Sequence, residues 1–359
     1  MNIVNSIYSF RYLINDLSIA IKVLGEEKML GYPVSAFVEL TSKCNLRCKH
    51  CYNNSGISIS EIDINILKKL IKDLDSKIVT SITISGGEPL LYAEISELLS
   101  FIARETSLKV AVNSNGILLN DEEYIGMLLE NNVSDIQISL DGMEMTHDLI
   151  RGPGSYCKTI EAIKKCIKKG IRVRIGYTVN AVNYNELEDV CAMVRDLGAV
   201  SMAVYRYIPT STRDNHESLD FDKATLLEAS KKVIEIQKKY VRSGFNIYFE
   251  KLSFFAFLLD KNYISMTKCL AGQAQLNIDS SLNVSMCAHL HNISGNIKES
   301  SIEDIWKKQN SLLEKLKEIP EDCIDCEYAN ICKGGCKGIS FCLNNNYNTK
   351  DTCCFKELL

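Results

Sequence analysis

The distribution of cysteine constrains this sequence more than any other feature. The chain contains 15 cysteines in 359 residues; three lie within residues 44–51 and nine follow residue 268. Disulfides are frequent in small secreted domains, but no signal peptide with a small-residue cleavage site is evident in this long chain. Crowded cysteines in such a chain indicate thiolate ligands for metal. We therefore expect two metal-binding regions.

The overall composition argues against several classes of function. Acidic residues outnumber basic ones by 45 to 41, giving a formal net charge of −4, and the basic residues are scattered. This balance argues against a nucleic-acid-binding surface and against a polybasic membrane patch. No apolar run approaches the roughly 18–20 residues that span a bilayer. The sequence therefore predicts a soluble cytoplasmic protein that binds neither nucleic acid nor membrane.

From residue 34 to about residue 240, β-branched or apolar runs alternate with helical patterns. The predicted strands are 34–41, 79–85, 108–113, 134–140, 171–178 and 200–207. The predicted helices are 60–75, 93–104, 121–130, 156–169, 184–197 and 222–240. Such alternation indicates parallel βα units, whose functional loops follow the carboxyl ends of the strands. Six units are fewer than the eight of a closed barrel, so we predict an α/β protein with a partial (β/α)6 barrel.

Three segments of different composition predict the domain organisation. Residues 1–33 place apolar side chains at helical spacing and predict a helical extension. Residues 34–250 form the barrel domain. Residues 251–359 are rich in Cys, Asn and Gly and show one clear helical pattern, near 301–317. Because so polar a segment buries little apolar surface, we expect a small irregular domain that bound metal stabilises.

The first cysteine cluster follows the first predicted strand. Cys44, Cys48 and Cys51 are separated by three and then by two residues. A [4Fe–4S] cube normally takes four ligands, so three thiolates leave one iron open to another molecule. An open coordination position distinguishes a reactive metal centre from a structural one. A zinc loop is the alternative, although zinc loops favour two-residue spacings and a second cysteine pair nearby.

This CxxxCxxC motif resembles that of the radical S-adenosylmethionine (SAM) superfamily. Further family motifs follow the later strands in order: Gly86-Gly-Glu-Pro89, Asn115-Gly116, Ser139-Leu-Asp141-Gly142 and His147-Asp-Leu-Ile-Arg151-Gly152. The resemblance implies that the amino and carboxylate groups of SAM chelate the fourth iron. It also implies that the reduced cluster cleaves SAM to methionine and a 5′-deoxyadenosyl radical.

The same resemblance implies a set of SAM contacts. Glu88 would accept a hydrogen bond from the methionine amino group, beside glycines that permit close approach of the backbone. Arg151 would pair with the SAM carboxylate, because a guanidinium suits planar bidentate recognition. Ser139 would lie near the ribose or carboxylate, and Tyr52 would pack near the adenine. The complete implied set is Tyr52, Gly86, Gly87, Glu88, Pro89, Asn115, Ser139, Asp141 and Arg151.

The later cysteines resemble a SPASM domain, an extension with two auxiliary [4Fe–4S] clusters in many peptide-modifying radical SAM enzymes. For the distal cluster, the resemblance implies the ligands Cys323, Cys326, Cys332 and Cys353. For the cluster nearer the active site, it implies Cys269, Cys287 and Cys336. A CxxC pair also suits zinc, so a zinc ribbon is the alternative.

Two positions depart from the SPASM pattern. Leu282 stands five residues before the second cysteine, where the family usually has a glycine in a tight turn. Gln275 stands where some members supply a fourth ligand to the nearer cluster. That cluster would then have an open iron, which substrate, His289 or His291 would fill. Each of these histidines is more often an ordinary loop residue than a ligand.

The identity of one ligand of the distal cluster stays open. Cys353 and Cys354 are adjacent, so either could complete the distal cluster. Cys157, Cys166 and Cys191 fall on predicted helices, where small buried thiols are common. We expect these three in the core.

An auxiliary cluster beside the substrate would accept the electron that an oxidative cross-link releases. The sequence therefore predicts a radical SAM oxidoreductase that matures a peptide or protein substrate by forming a thioether or carbon–carbon bond. A flavodoxin- or ferredoxin-type protein would reduce it. Neither a catalytic side chain nor a hydrogen donor can be identified from the sequence.

Several alternatives remain open. A small-molecule dehydrogenase or decarboxylase is one, since the stretch 205–210 resembles that of tetrapyrrole- and sugar-modifying relatives. A peptide epimerase needs a hydrogen-donating thiol, and no spare cysteine lies on a predicted strand. A sulfatase maturase typically has aspartate after the second auxiliary cysteine, where this chain has Ala288. A non-enzymatic iron–sulfur electron carrier would have no use for the Gly-Gly-Glu-Pro motif.

Overall fold

The computed structural model describes residues 31–213, 216–241, 243–251, 253–266, 271–290 and 293–359. Most of the predicted N-terminal extension, residues 1–33, therefore lies outside the described residues. None of the helices within the described ranges is long and apolar enough to cross a membrane.

Seven parallel strands form the centre of the fold. They are β1 (Ser35–Glu39), β2 (Ser81–Ser85), β3 (Lys109–Ser114), β4 (Asp135–Ser139), β5 (Val173–Val179), β6 (Ser201–Arg206) and β7 (Asn246–Phe249). The first six coincide with the predicted strands, so the mixed α/β class with a parallel sheet is confirmed. β7 was missed because its four residues are too short to show a clear pattern.

Helices separate these strands, and most were predicted. They are α1 (Ile64–Asp75), α2 (Ile95–Glu105), α3 (Glu122–Glu130), α4 (Glu144–Arg151), α5 (Ser155–Lys168), α6 (Leu187–Leu197) and α7 (Lys223–Tyr240). In α1 the buried side chains recur every three or four residues, and Asp63 accepts the backbone N–H groups of Asn65 and Ile66 at its start. Each fully buried aliphatic side chain contributes about 1.5–3 kcal/mol, which holds such a helix on the sheet.

The two faces of the parallel sheet differ in polarity. Alternate residues of a strand point to opposite faces, and one face is apolar and buried: Val38, Ile84, Val112, Ile138 and Ile175. The other, which we call the polar face, carries Thr83, Asn113, Gln137, Arg174, Thr178 and Tyr205. Parallel strands are usually apolar on both faces. The polar face is therefore suited to line a binding site.

The C-terminal segment continues the same sheet. It contains α8 (Ala256–Leu259), β8 (Gln275–Ile278), β9 (Asn283–Ser285), β10 (Ile293–Asn296), α9 (Ile302–Leu316), α10 (Ala329–Cys332) and α11 (Lys337–Asn344). β8 pairs in parallel with β1, and β9 and β10 follow antiparallel, so the strand order is β10-β9-β8-β1-β2-β3-β4-β5-β6-β7. The helix predicted near 301–317 is present as α9, whereas the strands were too short and polar to predict.

A buried ion pair also joins this segment to the parallel strands. Arg206, at the end of β6, donates from Nη1 to Asp351 Oδ2 at 2.7 Å and to the carbonyl oxygen of Ser253 at 2.9 Å. Both charged side chains are almost fully buried. Removing one partner of such a pair typically costs several kcal/mol, so this contact helps to fix the C-terminal segment in place.

The turn between β8 and β9 keeps a glycine-type conformation without glycine. Leu282 has a φ of 69°, in the left-handed region, and its N–H donates to the Asp279 carbonyl oxygen at 2.9 Å. That conformation costs a non-glycine residue about 1–2 kcal/mol. The Leu282 side chain is buried in the core, which offsets the cost. The departure from the SPASM glycine therefore leaves the turn in place.

Candidate metal and cofactor site

Cys44, Cys48 and Cys51 lie on the loop that follows β1. The N–H of Cys51 donates to the Cys48 carbonyl oxygen at 3.2 Å, which curls the loop. Two donors approach Cys44 Sγ, the Leu46 N–H at 3.5 Å and Asn115 Nδ2 at 3.9 Å. Arg151 Nη1 lies 3.9 Å from Cys48 Sγ. N–H groups and a guanidinium therefore surround sulfur atoms that would carry negative charge.

The surroundings of these thiols favour metal ligation over isolated thiolates. Burial raises the pKa of the Cys48 thiol to about 12, although the Arg151 charge opposes this. Burial likewise raises the pKa of Cys44. A thiolate in such a place needs a metal to carry its charge. Within the described residues no three His, Cys, Asp or Glu side chains meet closely enough to hold a single metal ion. The three thiols are soft sulfur donors, and such donors suit an iron–sulfur cluster.

The Gly-Gly-Glu-Pro motif after β2 packs against the beginning of the cysteine loop. The Gly87 N–H donates to the Thr41 carbonyl oxygen at 2.7 Å, and the Glu88 N–H donates to that of Lys43 at 2.8 Å. A Cβ atom on Gly87 would lie 2.1 Å from the Lys43 carbonyl oxygen, and one on Gly86 would lie 2.4 Å from that of Thr41. The structure thus requires the two glycines for contact with the cysteine loop.

We expect Gly87→Ala to lower the free energy of unfolding by about 1–3 kcal/mol, because the added methyl group meets backbone and not a movable side chain. Gly126→Ala is the control: its Cβ would meet nothing within 4 Å, in the helix α3, and alanine should stabilise by up to about 1 kcal/mol. Denaturant titration of both variants measures this. A Gly87→Ala protein as stable as the wild type would contradict the packing described.

Glu88 connects the ends of β2 and β3. Its Oε1 accepts from Ser114 Oγ at 2.9 Å and its Oε2 from the Asn115 N–H at 2.8 Å. Burial raises the pKa of Glu88 to about 7, against the effect of these hydrogen bonds and of Arg151. Pro89 begins the single turn Pro89–Leu91, which Glu88 caps through the Leu90 N–H.

Asn115 links this corner to the cysteine loop. Its Nδ2 donates to Asn45 Oδ1 at 2.7 Å, and its Oδ1 accepts from the Ile117 N–H at 3.0 Å. The following residue, Gly116, has a φ of 85°, as its turn requires. Sequence reasoning found Asn115 but missed Asn45, whose only signal was its place beside Cys44.

Asp141, Arg151 and His50 contact one another in a buried group. Arg151 Nε donates to Asp141 Oδ2 at 2.5 Å, His50 Nε2 lies 3.1 Å from the same oxygen, and the Thr178 N–H donates to Oδ1 at 2.7 Å. Burial would raise the pKa of Asp141, but the charges of Arg151 and His50 outweigh it and lower that pKa. Arg151 thus has its Nε on Asp141 and its Nη1 towards Cys48. Sequence analysis missed His50 despite its place between Cys48 and Cys51.

Two further residues complete this end of the sheet. Ser139 is the last residue of β4 and remains partly exposed. His147 is fully buried, and its Nδ1 accepts the Asp141 N–H at 3.2 Å. Burial lowers the pKa of His147 to about 4, so the imidazole is neutral near pH 7.

Tyr52 contacts β1 and the C-terminal segment. Its hydroxyl donates to Glu39 Oε1 at 2.8 Å, and Asn53 Nδ2 donates to Glu39 Oε2 at 2.7 Å. The Tyr52 ring meets that of His289 edge-on, with 5.0 Å between centroids. Glu39 was missed in the sequence because nothing near it in the chain distinguishes it from an ordinary strand end. Adenine contact by Tyr52 stays a prediction.

A cavity of about 130 Å³ opens beside these residues, between β1 and the β8–β9 hairpin. Its polar lining is Glu39, Tyr52, Asn53, Asn277, Asp279, Asn283 and Ser285. Ala288 and Leu290, from the loop after Cys287, form another part of the wall. Among the described residues that line it there is no Lys, Arg or His. The cavity is therefore rich in hydrogen-bond acceptors and carries two carboxyl groups.

Of the two adjacent cysteines, Cys354 and not Cys353 interacts electrostatically with the other distal cysteines. Burial and then the charge of Cys354 raise the pKa of the Cys332 thiol to about 12, and Cys354 also raises that of the buried Cys323 thiol. Cys326 acts on both thiols in the same way. Cys353 Sγ instead donates to the Phe221 carbonyl oxygen at 3.0 Å. The two adjacent cysteines therefore have different partners, which spacing in the sequence does not determine.

The nearer group is only partly described. Cys287 and Cys336 are half-buried, and the charges of both Cys336 and Cys353 act on Arg206. Gln275 Nε2 donates to Asn277 Oδ1 at 3.3 Å. Two predicted residues, Cys269 and His291, lie outside the described residues.

Two of the three cysteines expected in the core are there. Cys166 and Cys191 are fully buried. The expectation for Cys157 is wrong, because Cys157 is exposed near the start of α5, with Glu144 Oε1 3.7 Å from its sulfur. The helical pattern places Cys157 close to the boundary between the apolar and polar faces, where the sequence does not decide burial.

Comparisons with known proteins agree with this geometry. The family model described as the radical SAM superfamily matches residues 38–195, and the SPASM model, described as an iron–sulfur cluster-binding domain, matches residues 269–334. The chain is 28% identical over 334 residues to AdoMet-dependent heme synthase of Methanosarcina barkeri, covering 88% of this chain and 94% of that protein. It is 28% identical to the antilisterial bacteriocin subtilosin biosynthesis protein AlbA of Bacillus subtilis, covering 89% and 70%.

Among solved structures, Streptococcus suis SuiB bound to S-adenosylmethionine superimposes with a TM-score of 0.75 at 17% identity, covering 97% of this chain and 83% of that one. At that identity the likeness shows the fold. The parallel sheet, the cysteine loop and the two family matches in the predicted order define a radical SAM protein. The chain belongs to the radical SAM superfamily of enzymes and carries a SPASM domain.

Proposed function

We propose that this enzyme oxidatively modifies a peptide or protein, through a 5′-deoxyadenosyl radical, by forming a thioether or carbon–carbon bond. The observation that carries the proposal is the convergence of the three-cysteine loop with the ends of β2, β3 and β4. The [4Fe–4S] cluster and SAM, when bound, supply the radical. We also propose residues 34–250 and 251–359 as two domains, a cytoplasmic location and a flavodoxin- or ferredoxin-type reductant.

In this proposal Cys44, Cys48 and Cys51 hold the first cluster, and the backbone of Gly86–Pro89 supports the methionine end of SAM. Glu88 is held rigidly by Ser114 and Asn115. Asp141 fixes Arg151 at Nε and His50 lies 3.4 Å from its Nη2, so that Nη1, directed towards Cys48, is the nitrogen we propose for a carboxylate. The chain's own contribution is to orient SAM and to exclude competing reactions.

The proposed auxiliary ligands change at one position. Cys323, Cys326, Cys332 and Cys354 replace the set that ended in Cys353; the charge that Cys354 exerts on Cys323 and Cys332 supports this choice. Cys269, Cys287 and Cys336 remain the proposed ligands of the nearer cluster. A cluster held by these thiols would be near the part of the cavity wall that follows Cys287, where it would take an electron from a substrate radical.

The cavity lining favours a peptide substrate. Its amide, hydroxyl and carboxyl groups match the amide N–H and C=O groups of a peptide. A tetrapyrrole with several carboxylates would meet Glu39 and Asp279 unfavourably there, because like charges repel at short range. Relationship to AlbA, a bacteriocin biosynthesis protein, supports the same substrate class.

A second candidate, decarboxylation of a tetrapyrrole propionate, has its own support. The heme synthase of Methanosarcina barkeri matches over nearly its whole length. Arg174 lies on the polar face and could pair with a carboxylate. Burial lowers its pKa, but a guanidinium keeps its positive charge in proteins. This candidate needs a substrate that sits along β4–β6 and not in the cavity.

Mass spectrometry separates the two candidates. The reconstituted enzyme, SAM and dithionite would be incubated anaerobically with either a short peptide encoded beside its gene or an iron porphyrin bearing propionates. We expect the peptide to lose two hydrogens while 5′-deoxyadenosine forms. Loss of carbon dioxide from the porphyrin, with an unchanged peptide mass, would favour the second candidate. Deuterium uptake from heavy water without mass loss would indicate epimerisation.

A further inference from the structure

The cavity between β1 and the β8–β9 hairpin contains a buried carboxyl group that no SAM contact uses. Glu39 is 5% exposed and lies at the carboxyl end of β1, on the wall of the cavity. Each of its oxygens accepts one hydrogen bond, from Tyr52 and from Asn53. A carboxylate has about four acceptor positions. Glu39 can therefore accept another hydrogen bond from a donor group in the cavity.

We propose that Glu39 is the proton acceptor for the substrate oxidised in this cavity. The inference rests on the proposed oxidative function and adds the residue and the place where the proton leaves. The substrate would present an S–H, O–H or N–H group to Glu39, next to the carbon that loses hydrogen.

Another part of the cavity wall supports this assignment. Ala288 and Leu290 line the cavity there, directly after Cys287. Neither side chain can take a proton, so a base for this cavity has to come from another part of its wall, where Glu39 lies. The electron and the proton would thus leave the substrate on neighbouring sides of one cavity.

The chemistry balances without another reactant. The substrate C–H bond gives its hydrogen atom to the 5′-deoxyadenosyl radical, which becomes 5′-deoxyadenosine. The substrate radical then gives one electron to an oxidised iron–sulfur cluster and one proton, from its heteroatom, to the Glu39 carboxylate. A new bond forms between the carbon and that heteroatom, so the substrate loses two hydrogens in total. Glu39 returns its proton to solvent before the next turnover.

The charged surroundings of Glu39 suit a base that works near neutral pH. Burial is the main cause that raises the pKa of Glu39 to about 7, and the charge of Asp279 adds to the increase. The hydrogen bonds from Tyr52 and Asn53 oppose it. His289 lies outside the cavity lining and touches the ring of Tyr52, the donor to Glu39. A general base is most effective when its pKa lies near the working pH. An ordinary exposed glutamate, with a pKa near 4.3, would be a weaker base.

The test combines two variants with two readouts. Glu39→Gln keeps an oxygen for Tyr52 but cannot take a proton; Asp279→Asn keeps Glu39 but removes a negative charge that raises its pKa. With the gene-adjacent peptide, we expect Glu39→Gln to lower the ratio of product to 5′-deoxyadenosine at least about 100-fold, the lower end of the range that general bases contribute. Wild-type product formation should rise with pH through a midpoint near 7, and Asp279→Asn should move that midpoint to lower pH.

Infrared spectroscopy tests the inference about Glu39 without any substrate. The carbonyl band of a protonated carboxyl group is followed against pH in the iron-loaded wild type and in Glu39→Gln. The difference between them should show one carboxyl titrating near pH 7. Absence of that titration overturns the inference whatever the substrate is. If the wild type shows this titration but forms no dehydrogenated peptide, the result contradicts the proposed function and not the inference about Glu39. If Glu39→Gln leaves the product ratio and the pH profile unchanged, then Glu39 only holds Tyr52 in place and the inference is overturned.

Discussion

We expect Cys44→Ala to lower formation of 5′-deoxyadenosine by the anaerobically reconstituted variant by more than about 100-fold, because loss of even an outer-sphere metal partner costs about 10–100-fold. The reason is that Cys44 is one of only three thiols on the loop after β1. Its removal would leave two ligands for a cluster that already relies on SAM for the fourth. Liquid chromatography of the quenched reaction measures 5′-deoxyadenosine and methionine directly.

The matched control is Cys157→Ala. Cys157 is an exposed thiol near the start of α5 and belongs to neither cysteine group. This variant should retain wild-type iron content and wild-type SAM cleavage, which shows that reconstitution tolerates loss of a thiol elsewhere. If Cys44→Ala cleaved SAM as fast as Cys157→Ala, the assignment of the first cluster would be wrong.

Asp141→Asn should lower the free energy of unfolding by about 3–5 kcal/mol, because it leaves the buried Arg151 guanidinium without its counter-charge. The effect should depend on pH. Since the pKa of Asp141 is lowered in the folded protein, its stabilisation is fully present above its unfolded pKa of about 3.9 and is lost as the pH falls below that value. The gap between wild type and variant should therefore narrow in acid.

Urea titrations at pH 7 and in steps down to pH 3 would measure this gap. Asp196→Asn is the control, since it removes an exposed ion pair with Arg195 and should change stability far less. Equal effects of the two substitutions, or a gap that stays constant with pH, would contradict the account of Asp141. Because Arg151 also faces Cys48, we expect the Asp141 variant to cleave SAM more slowly as well.

The sequence predicts those parts of this protein that depend on local patterns. The six strands and the cysteine loop are predictable because hydrophobic runs and the CxxxCxxC spacing are written in consecutive residues. The strands β7 to β10 are not, because three or four residues carry too little periodicity. β8 exists as a strand because the exposed edge of β1 offers it hydrogen bonds, which is a tertiary effect.

The candidate site shows the same division. Glu88 and Arg151 were identified through motifs, but their actual partners, Ser114 and Asp141, follow only from folding. Glu39 was missed because its significance comes from a cavity formed with residues more than 200 positions away in the chain. The choice between Cys353 and Cys354 depends on which way each side chain points, and spacing alone does not contain that information.

The most direct test of the account is SAM cleavage by the wild-type chain. The anaerobically reconstituted protein, brought to about twelve irons as three [4Fe–4S] clusters require, would be mixed with SAM and dithionite. The account predicts 5′-deoxyadenosine and methionine in equal amounts. Their absence from a chain whose first cluster is loaded and reduced, as judged by its electron paramagnetic resonance signal, would contradict the assignment of this site.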